Sequence, residues 1–115
     1  MKVEKFEDLI CWQKSKDAAV IIYKIFRDNR DFKFRDQIQD AGVSMSNNIA
    51  EGFERKSNKE FCHFLYISKG SSGEVRSMLY IALDLKYITQ SQFDDLYNRS
   101  LEISKMLSGL IKSLN

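Results

Sequence analysis

The chain has 115 residues, of which 43% are hydrophobic and 30% are charged, and its formal net charge is +2. This composition excludes an intrinsically disordered chain, which would be poorer in hydrophobic residues. No apolar run approaches the roughly 20 residues of a membrane-spanning helix, so we expect no membrane partner. The length predicts one domain, residues 1–115.

The sequence also predicts a cellular compartment. The first ten residues, MKVEKFEDLI, are charged throughout and lack the apolar core of a signal peptide. Only two cysteines are present, Cys11 and Cys62, which is too few to indicate a disulfide framework. We therefore expect a cytoplasmic protein with reduced thiols.

The first predicted helix covers residues 6–28. Its inward-facing residues recur at helical spacing: Leu9, Trp12, Ala19, Ile22, Tyr23 and Phe26. Four more apolar residues, Ala18, Val20, Ile21 and Ile25, widen this stripe. The helix is therefore apolar nearly all round, and such a helix must be buried by something.

The second predicted helix covers residues 34–55. Its apolar positions recur at steps of three and four, the spacing of one buried helix stripe: Ile38, Ala41, Met45, Ile49 and Gly52. The third predicted helix covers residues 57–86 and begins with an S-x-x-E capping box at Ser57 and Glu60. Its inward positions alternate by four and three, as in coiled-coil packing: Phe61, Leu65, Ser68, Ser72, Val75, Leu79 and Ala82.

The third helix has two further features. A second apolar row is formed by Ile67, Met78, Ile81 and Leu85, with Ile88 just beyond the helix end. Gly70 and Gly73 lie in mid-helix, where small residues let another backbone approach closely. We expect a tight crossing inside one subunit at these glycines, and a contact between subunits is the alternative.

A second capping box, from Thr89 to Gln92, opens the fourth predicted helix. Its buried positions are again separated by three, four or their sum: Phe93, Leu96, Ile103, Leu107, Leu110 and Leu114. No alternating strand pattern is evident, and short connections make neighbouring helices antiparallel. We predict an all-α fold, an antiparallel up-down-up-down four-helix bundle.

The first and third helices carry more apolar surface than one bundle needs. A helix on the surface of a monomer has one apolar stripe and one polar face. Tyr66, Tyr80 and Tyr87 add side chains of a kind that is enriched at protein interfaces. The surplus predicts self-association, although long helices that cover one another more completely would also account for it.

The sequence contains no convincing catalytic or metal-binding pattern. Glu60 and His63 form an E-x-x-H pair, but di-iron bundles need two such pairs and two more glutamates. His63 is the only histidine. Cys62 and His63 are adjacent on a helix, so their side chains diverge, and no phosphate-binding glycine loop is present. We predict no metal, no cofactor and no enzymatic activity.

Basic residues gather at both predicted ends of the bundle. The candidates for nucleic-acid binding are Arg27, Arg30, Lys33 and Arg35 in the first turn, and Arg55, Lys56 and Lys59 in the second. Acidic residues are mixed with both groups, so on a single subunit we interpret them as solvated charged caps. Repetition in a ring would multiply each group into a broad positive surface.

Residues 37–61, QIQDAGVSMSNNIAEGFERKSNKEF, closely resemble the signature of one protein family. The matching elements are Gln-Ile, Ala-Gly-Val-Ser, Asn-Ile-Ala-Glu-Gly, a basic pair, Ser and Glu-Phe. The match continues in SKGSSGEVRSML, with Gly-Ser-x-x-Glu at Gly70, Ser71 and Glu74. The chain resembles the four-helix-bundle proteins encoded in intervening sequences of bacterial 23S rRNA genes, from FEDLICWQKSKD to MLSGLIKSL.

Four polar residues fall in the matching segments: Gln37, Asn48, Glu51 and Glu74. We interpret them as a hydrogen-bonded network that fixes helix register, because buried polar groups must be paired. The alternative is a shared polar site that reaches a basic residue such as Arg55 or Arg76.

The resemblance implies an assembly and a class of partner. Members of the family form ring-like homopentamers, and close relatives accompany reverse transcriptases of diversity-generating retroelements and bind nucleic acid. The implied partners are other copies of the chain, RNA or DNA, and a partner protein such as a reverse transcriptase. We predict a non-enzymatic oligomeric scaffold that binds structured RNA through its basic clusters; a protein-interaction adaptor without nucleic-acid binding is the alternative.

Overall fold

A computed structural model describes residues 2–115 and shows four α-helices. They are α1 (Ile10–Phe26), α2 (Phe32–Phe53), α3 (Asn58–Asp84) and α4 (Gln90–Leu114), and a 3-10 turn at Phe6–Asp8 precedes α1. No strand occurs within residues 2–115, which confirms the predicted all-α bundle. In the same range, no helix has both the length and the apolar character needed to cross a bilayer.

Contacts between helices show that neighbours run in opposite directions. Gln37 at the start of α2 bonds to Glu74 in α3, whereas the later Ser44 bonds to the earlier Ser71. Between α3 and α4, Cys62 lies beside Ile111 and Tyr80 packs on Phe93. Between α1 and α2, Phe26 packs on Phe34, and Gly42 faces Ile22.

The core is one cluster that receives side chains from all four helices. The predicted stripes of α2 and α3 are buried at every position, and the side chains of Ile38, Met45 and Ile49 are fully enclosed. Burying such large apolar side chains contributes about 1.5–3 kcal/mol each as an upper estimate. The periodicity therefore located the faces of both helices correctly.

The predicted limits of α1 were too wide. Leu9 has an extended backbone (φ −73°, ψ 124°) and immediately precedes the helix. The extended residue separates the 3-10 turn from α1 and places Leu9 in the core. At the other end, Asn29 donates its backbone N–H to the Phe26 carbonyl, and α1 ends at Phe26 rather than at residue 28.

Side chains cap the three later helices. Asp31 accepts the Phe34 N–H, so α2 begins at Phe32, two residues earlier than predicted, and it ends at Phe53. Ser57 accepts the Glu60 N–H at 3.2 Å, as the first capping box predicts. The Glu60 carboxylate bonds to the Ser57 hydroxyl rather than to its backbone, so this box is only half formed.

The second capping box is complete. Thr89 accepts the Gln92 N–H at 3.1 Å, and the Gln92 side chain accepts the Thr89 N–H at 2.9 Å. This reciprocal pair satisfies two of the backbone donors that a helix start leaves open. It fixes the start of α4 at Gln90, as predicted.

Several apolar side chains lie elsewhere than the periodicity predicts. Tyr23 is exposed, and Leu110 and Leu114 are only half-buried, because Ile111 takes the core position of the last turn of α4. Met78 and Ile88 are buried inside the subunit, so the second row of α3 is reduced to Ile67, Ile81 and Leu85. The exposed apolar surface is real but smaller than predicted.

The expected crossing at the mid-helix glycines is wrong. A Cβ added at Gly70 would have no neighbour within 4 Å, and one added at Gly73 would meet only the Arg76 guanidinium. The close approach occurs instead at Gly52, where a Cβ would lie 2.6 Å from the Phe64 Cβ. The α2–α3 corner therefore needs a glycine, and the side of α3 that carries Gly70 faces open space.

Candidate nucleic-acid interface

The first basic cluster surrounds the turn between α1 and α2. Arg27, Arg30 and Lys33 are exposed, and none has a carboxylate within ion-pair distance among residues 2–115. Arg35 differs, because it pairs with Asp36 at 3.0 Å and stacks over the Phe32 ring. Three of the four predicted side chains are thus available to an anionic ligand.

One acid in this turn, Asp31, is already engaged. Asp31 accepts the Tyr87 hydroxyl at 2.7 Å and the Phe34 N–H at 3.2 Å. The hydrogen bond from Tyr87, and then that from Phe34, lower the pKa of Asp31, because both favour the carboxylate. The same bond raises the pKa of Tyr87. This carboxylate is therefore already engaged by two hydrogen bonds within the chain.

The second basic cluster lies at the turn between α2 and α3. Lys56 and Lys59 are exposed and unpaired within the described part of the chain. Arg55 is held by Glu51 at 2.8 Å and by Glu60 at 4.0 Å, and it lies over the Phe64 ring. The clusters are at opposite ends of α2, about 33 Å apart for its 22 residues.

The polar residues of the family signature divide into two groups. Gln37 bonds to Glu74 at 3.3 Å, and Asn48 donates to both the carbonyl and the hydroxyl of Ser44. The Ser44 hydroxyl in turn meets that of Ser71 at 2.8 Å. These contacts connect α2 to α3, and the Gln37–Glu74 bond is exposed rather than buried.

Glu51 and Arg76 stand apart from this network. Glu51 bonds to Arg55 within the same helical segment, whereas Arg76 bonds to Ser72 and Ser100 at the α3–α4 interface. The four signature residues therefore do not converge on one polar site.

The side chains with chemical reactivity are dispersed. Within residues 2–115, no group of three or more His, Cys, Asp or Glu is arranged to hold a metal ion. Burial raises the pKa of the Cys11 thiol to about 11, so it stays protonated near neutral pH. Cys62 is buried against the end of α4, and the exposed His63 packs edge-on against Phe64.

Two apolar surfaces lie beside the basic clusters. A groove of about 330 Å³ between α1 and α2 is lined by Lys16, Ala19, Val20, Tyr23, Lys24, Arg27, Val43 and Ser46. No acidic side chain lines it. On α3, Ile67, Ile81 and Leu85 form an exposed ridge. Residue spacing predicts apolar excess in both helices, but not which residues remain outside.

A third groove, of about 620 Å³, runs along the outside of α2 and α3. It is lined by Lys33, Asp36, Gln37, Asp40, Ala41, Ser44, Ser71 and Glu74. Three carboxylates against one lysine make it acidic. The α1–α2 groove and the α2–α3 groove therefore have opposite charge.

Comparison with known proteins assigns the fold to a family. The model of the 23S rRNA-intervening sequence protein family matches residues 7–109. The structure is similar to the 1.70 Å crystal structure of a protein with unknown function, of the S23 ribosomal protein family, from Bacteroides thetaiotaomicron VPI-5482. The TM-score is 0.84 and the identity 31%, covering 90% of this chain and 99% of that one. No curated protein matches the sequence.

Proposed function

The chain belongs to the 23S rRNA-intervening sequence protein family, and on that premise we propose that it is a non-enzymatic, self-associating helical scaffold whose two ends bind structured RNA. The observation that supports RNA binding is that five exposed cations at the two turns have no carboxylate partner among residues 2–115: Arg27, Arg30, Lys33, Lys56 and Lys59. An unpaired cation can contact a phosphate without first giving up an ion pair.

The binding mode follows from where these side chains lie. Each of the two turns presents two or three exposed cations that are not paired with a carboxylate among residues 2–115. Such a surface makes phosphate contacts, which provide affinity and steep salt dependence but little sequence specificity. A duplex RNA region, which presents a regular phosphate backbone, is the ligand that suits it.

Self-association would strengthen RNA binding by the small group of free cations at each end of a subunit. One subunit has only a few free cations at each end, whereas a ring repeats them around an axis and raises the local positive potential. The exposed groove and ridge described above supply surface for the contact between copies. The expected assembly is a homopentamer, as the sequence resemblance implies, and its rim is the RNA-binding surface.

The test is binding of a labelled RNA hairpin, followed by fluorescence anisotropy over a salt series from about 50 to 200 mM. Replacing Arg27, Arg30 and Lys33 together by glutamine should weaken binding and flatten the plot of log K against log salt. For every phosphate that the variant no longer neutralises, the slope should fall by about 0.9. The pair Lys56→Gln and Lys59→Gln should act in the same direction.

A matched control is the pair Lys14→Gln on α1 and Arg99→Gln on α4. Both side chains lie on the side of the bundle and are already paired, Lys14 with Glu102 and Arg99 with Asp95. The control should bind the hairpin like the unmodified chain. If the unmodified protein retains no RNA at low salt, the RNA proposal is wrong and an adaptor that binds a partner protein replaces it.

A further inference from the structure

A further groove lies between α3 and α4, and all of its charged side chains are cationic. It has a volume of about 420 Å³ and is lined by Tyr66, Lys69, Ser108, Ile111, Lys112 and Asn115. Two of these side chains are cationic and none is acidic. Neither Lys69 nor Lys112 has a carboxylate within ion-pair distance among residues 2–115. The cleft therefore has an unbalanced positive charge.

Arg76 extends this charge along the same face of α3. It follows Lys69 by seven residues, or two helical turns, about 10 Å along the axis. Its Nη1 donates to the Ser72 hydroxyl at 2.9 Å and to the Ser100 hydroxyl at 3.1 Å. Both partners are neutral, and no described carboxylate lies within ion-pair distance.

The rest of the Arg76 guanidinium remains open to a ligand. Within the described residues, its Nε and Nη2 donors make no hydrogen bond. A Cβ added at Gly73 would lie 3.7 Å from Nη2. The glycine thus leaves the space next to this donor clear, and two serines hold the half-buried guanidinium in place.

Tyrosines mark both ends of this face. Tyr66 is 58% exposed, and Tyr80 is 53% exposed and packs edge-on against Phe93 and Tyr97 at 5.0 and 5.6 Å between ring centroids. Fourteen residues separate them along α3, or about 21 Å. An exposed aromatic ring stacks on any base, whereas a paired base inside a duplex offers no free face.

We infer that the α3–α4 groove binds a single-stranded segment of RNA, with phosphates at Lys69, Arg76 and Lys112 and unpaired bases stacked on Tyr66 and Tyr80. The combination of a cationic groove with aromatic platforms is how single strands are bound without strong sequence preference. The distance of about 21 Å between the two tyrosines along α3 is a span that several nucleotides of a single strand can cover. The site is distinct from the end clusters and depends on the proposed function only in that both ligands are RNA.

The experiment uses two labelled probes and the full chain at about 50 mM salt. One is a short oligouridylate, which has no duplex; the other is the hairpin of the preceding test, made with blunt ends and a short loop so that almost all of its bases are paired. The pair Lys69→Gln and Lys112→Gln should weaken oligouridylate binding about tenfold or more and leave hairpin binding within about twofold.

Substitutions at Tyr66 test stacking. Tyr66→Ala should weaken oligouridylate binding by about five- to a hundredfold, the range for loss of one stacked base. Tyr66→Phe keeps the ring and should bind almost normally. Tyr66 is suited to this test because it is exposed, so neither variant should disturb the fold, which circular dichroism would verify.

For the variants, three outcomes would overturn the inference: equal oligouridylate binding by Tyr66→Ala and Tyr66→Phe, equal loss of binding to both probes in the groove variants, or a change in the molar mass of the assembly in the groove variants. The last would make this face a contact between subunits. If the unmodified protein binds the hairpin but not the oligouridylate, only the groove inference is wrong. If it binds neither probe, the proposed function is wrong as well.

Discussion

Serine hydroxyls occupy several buried positions where helices meet. Ser68 donates to the Met45 carbonyl at 2.7 Å across the α2–α3 contact, and Ser72 and Ser100 bond to each other at 2.8 Å between α3 and α4. Small polar residues at these crossings let backbones approach while each hydroxyl finds an acceptor. Ser15 is the exception: it is fully buried, and its hydroxyl has no partner in the described chain.

Ser15→Ala should therefore stabilise the protein. Removing a buried hydroxyl that makes no hydrogen bond eliminates its desolvation cost, so we expect the free energy of unfolding to rise by about 1 kcal/mol. Urea unfolding at a fixed protein concentration measures this change in the free energy of unfolding. Ser68→Ala removes an equally buried hydroxyl that is bonded, and it should lower the free energy of unfolding by about 1 kcal/mol. A loss of stability in both variants would show that the Ser15 hydroxyl has a partner.

At the scale of the elements, the end of α3 contains one unfavourable residue. Lys86 has φ 61°, in the left-handed region. Its N–H bonds to the Leu83 carbonyl at 3.0 Å, and the Tyr87 N–H bonds to the Ala82 carbonyl at 2.8 Å. This pair of bonds is the Schellman motif, in which glycine is the usual left-handed residue.

Lys86→Gly should raise the free energy of unfolding by about 1 kcal/mol, because glycine adopts this conformation without the Cβ clash. The corresponding shift in Tm is roughly 4 °C. Lys105→Gly is the control, since Lys105 is exposed inside α4. There glycine should cost about 1 kcal/mol. Thermal scans of both variants at one concentration provide the comparison; a lower Tm for Lys86→Gly would contradict the backbone argument.

For the whole molecule, the exposed apolar residues Val20 and Ile81, which lie on two neighbouring faces, suggest how copies assemble. The basic α1–α2 groove contains the exposed Val20, and the acidic α2–α3 groove adjoins the helix that carries Ile81. These faces share α2 and point in directions about a right angle apart, as neighbouring sides of a four-helix bundle do. A head-to-tail contact between them turns at each step and can therefore close into a ring.

Complementation of two defective copies tests this contact. Val20→Asp alone and Ile81→Asp alone should each give monomers, because each places a carboxylate in every interface. An equimolar mixture should form an assembly of two chains, because one intact groove can meet one intact ridge. This two-chain assembly cannot grow into a closed ring. Its two unused faces carry the introduced carboxylates, which would repel each other in any further contact.

Light scattering after size exclusion measures all three samples. The unmodified chain should elute at roughly five times the chain mass if the resemblance gives the subunit count correctly. If the mixture stays monomeric, or if either single variant assembles normally, the head-to-tail contact is wrong. A monomeric unmodified chain at micromolar concentration would defeat self-association altogether.

The sequence alone determined the helices, their inward stripes and most of their starts. Ile38, Met45 and Ile49 could be placed in the core, and Ser57 and Thr89 at helix starts, because periodicity and capping depend on residues three or four positions apart. The basic residues at the two turns could be located for the same reason. Whether each was free or paired could not be predicted, as the contrast between Arg27 and Arg35 shows.

Only the tertiary structure decided which of the surplus apolar residues are buried and which are exposed. Met78 is inside and Ile81 outside, although both belong to the same predicted row, and Gly70 faces open space while Gly52 is enclosed. The α3–α4 groove likewise depends on Lys69 and Lys112, which lie on different helices and are 43 positions apart in the sequence. Burial and charge at such positions depend on how far each helix is rotated about its axis against its neighbours. That rotation is set by packing between distant segments, which local spacing does not encode.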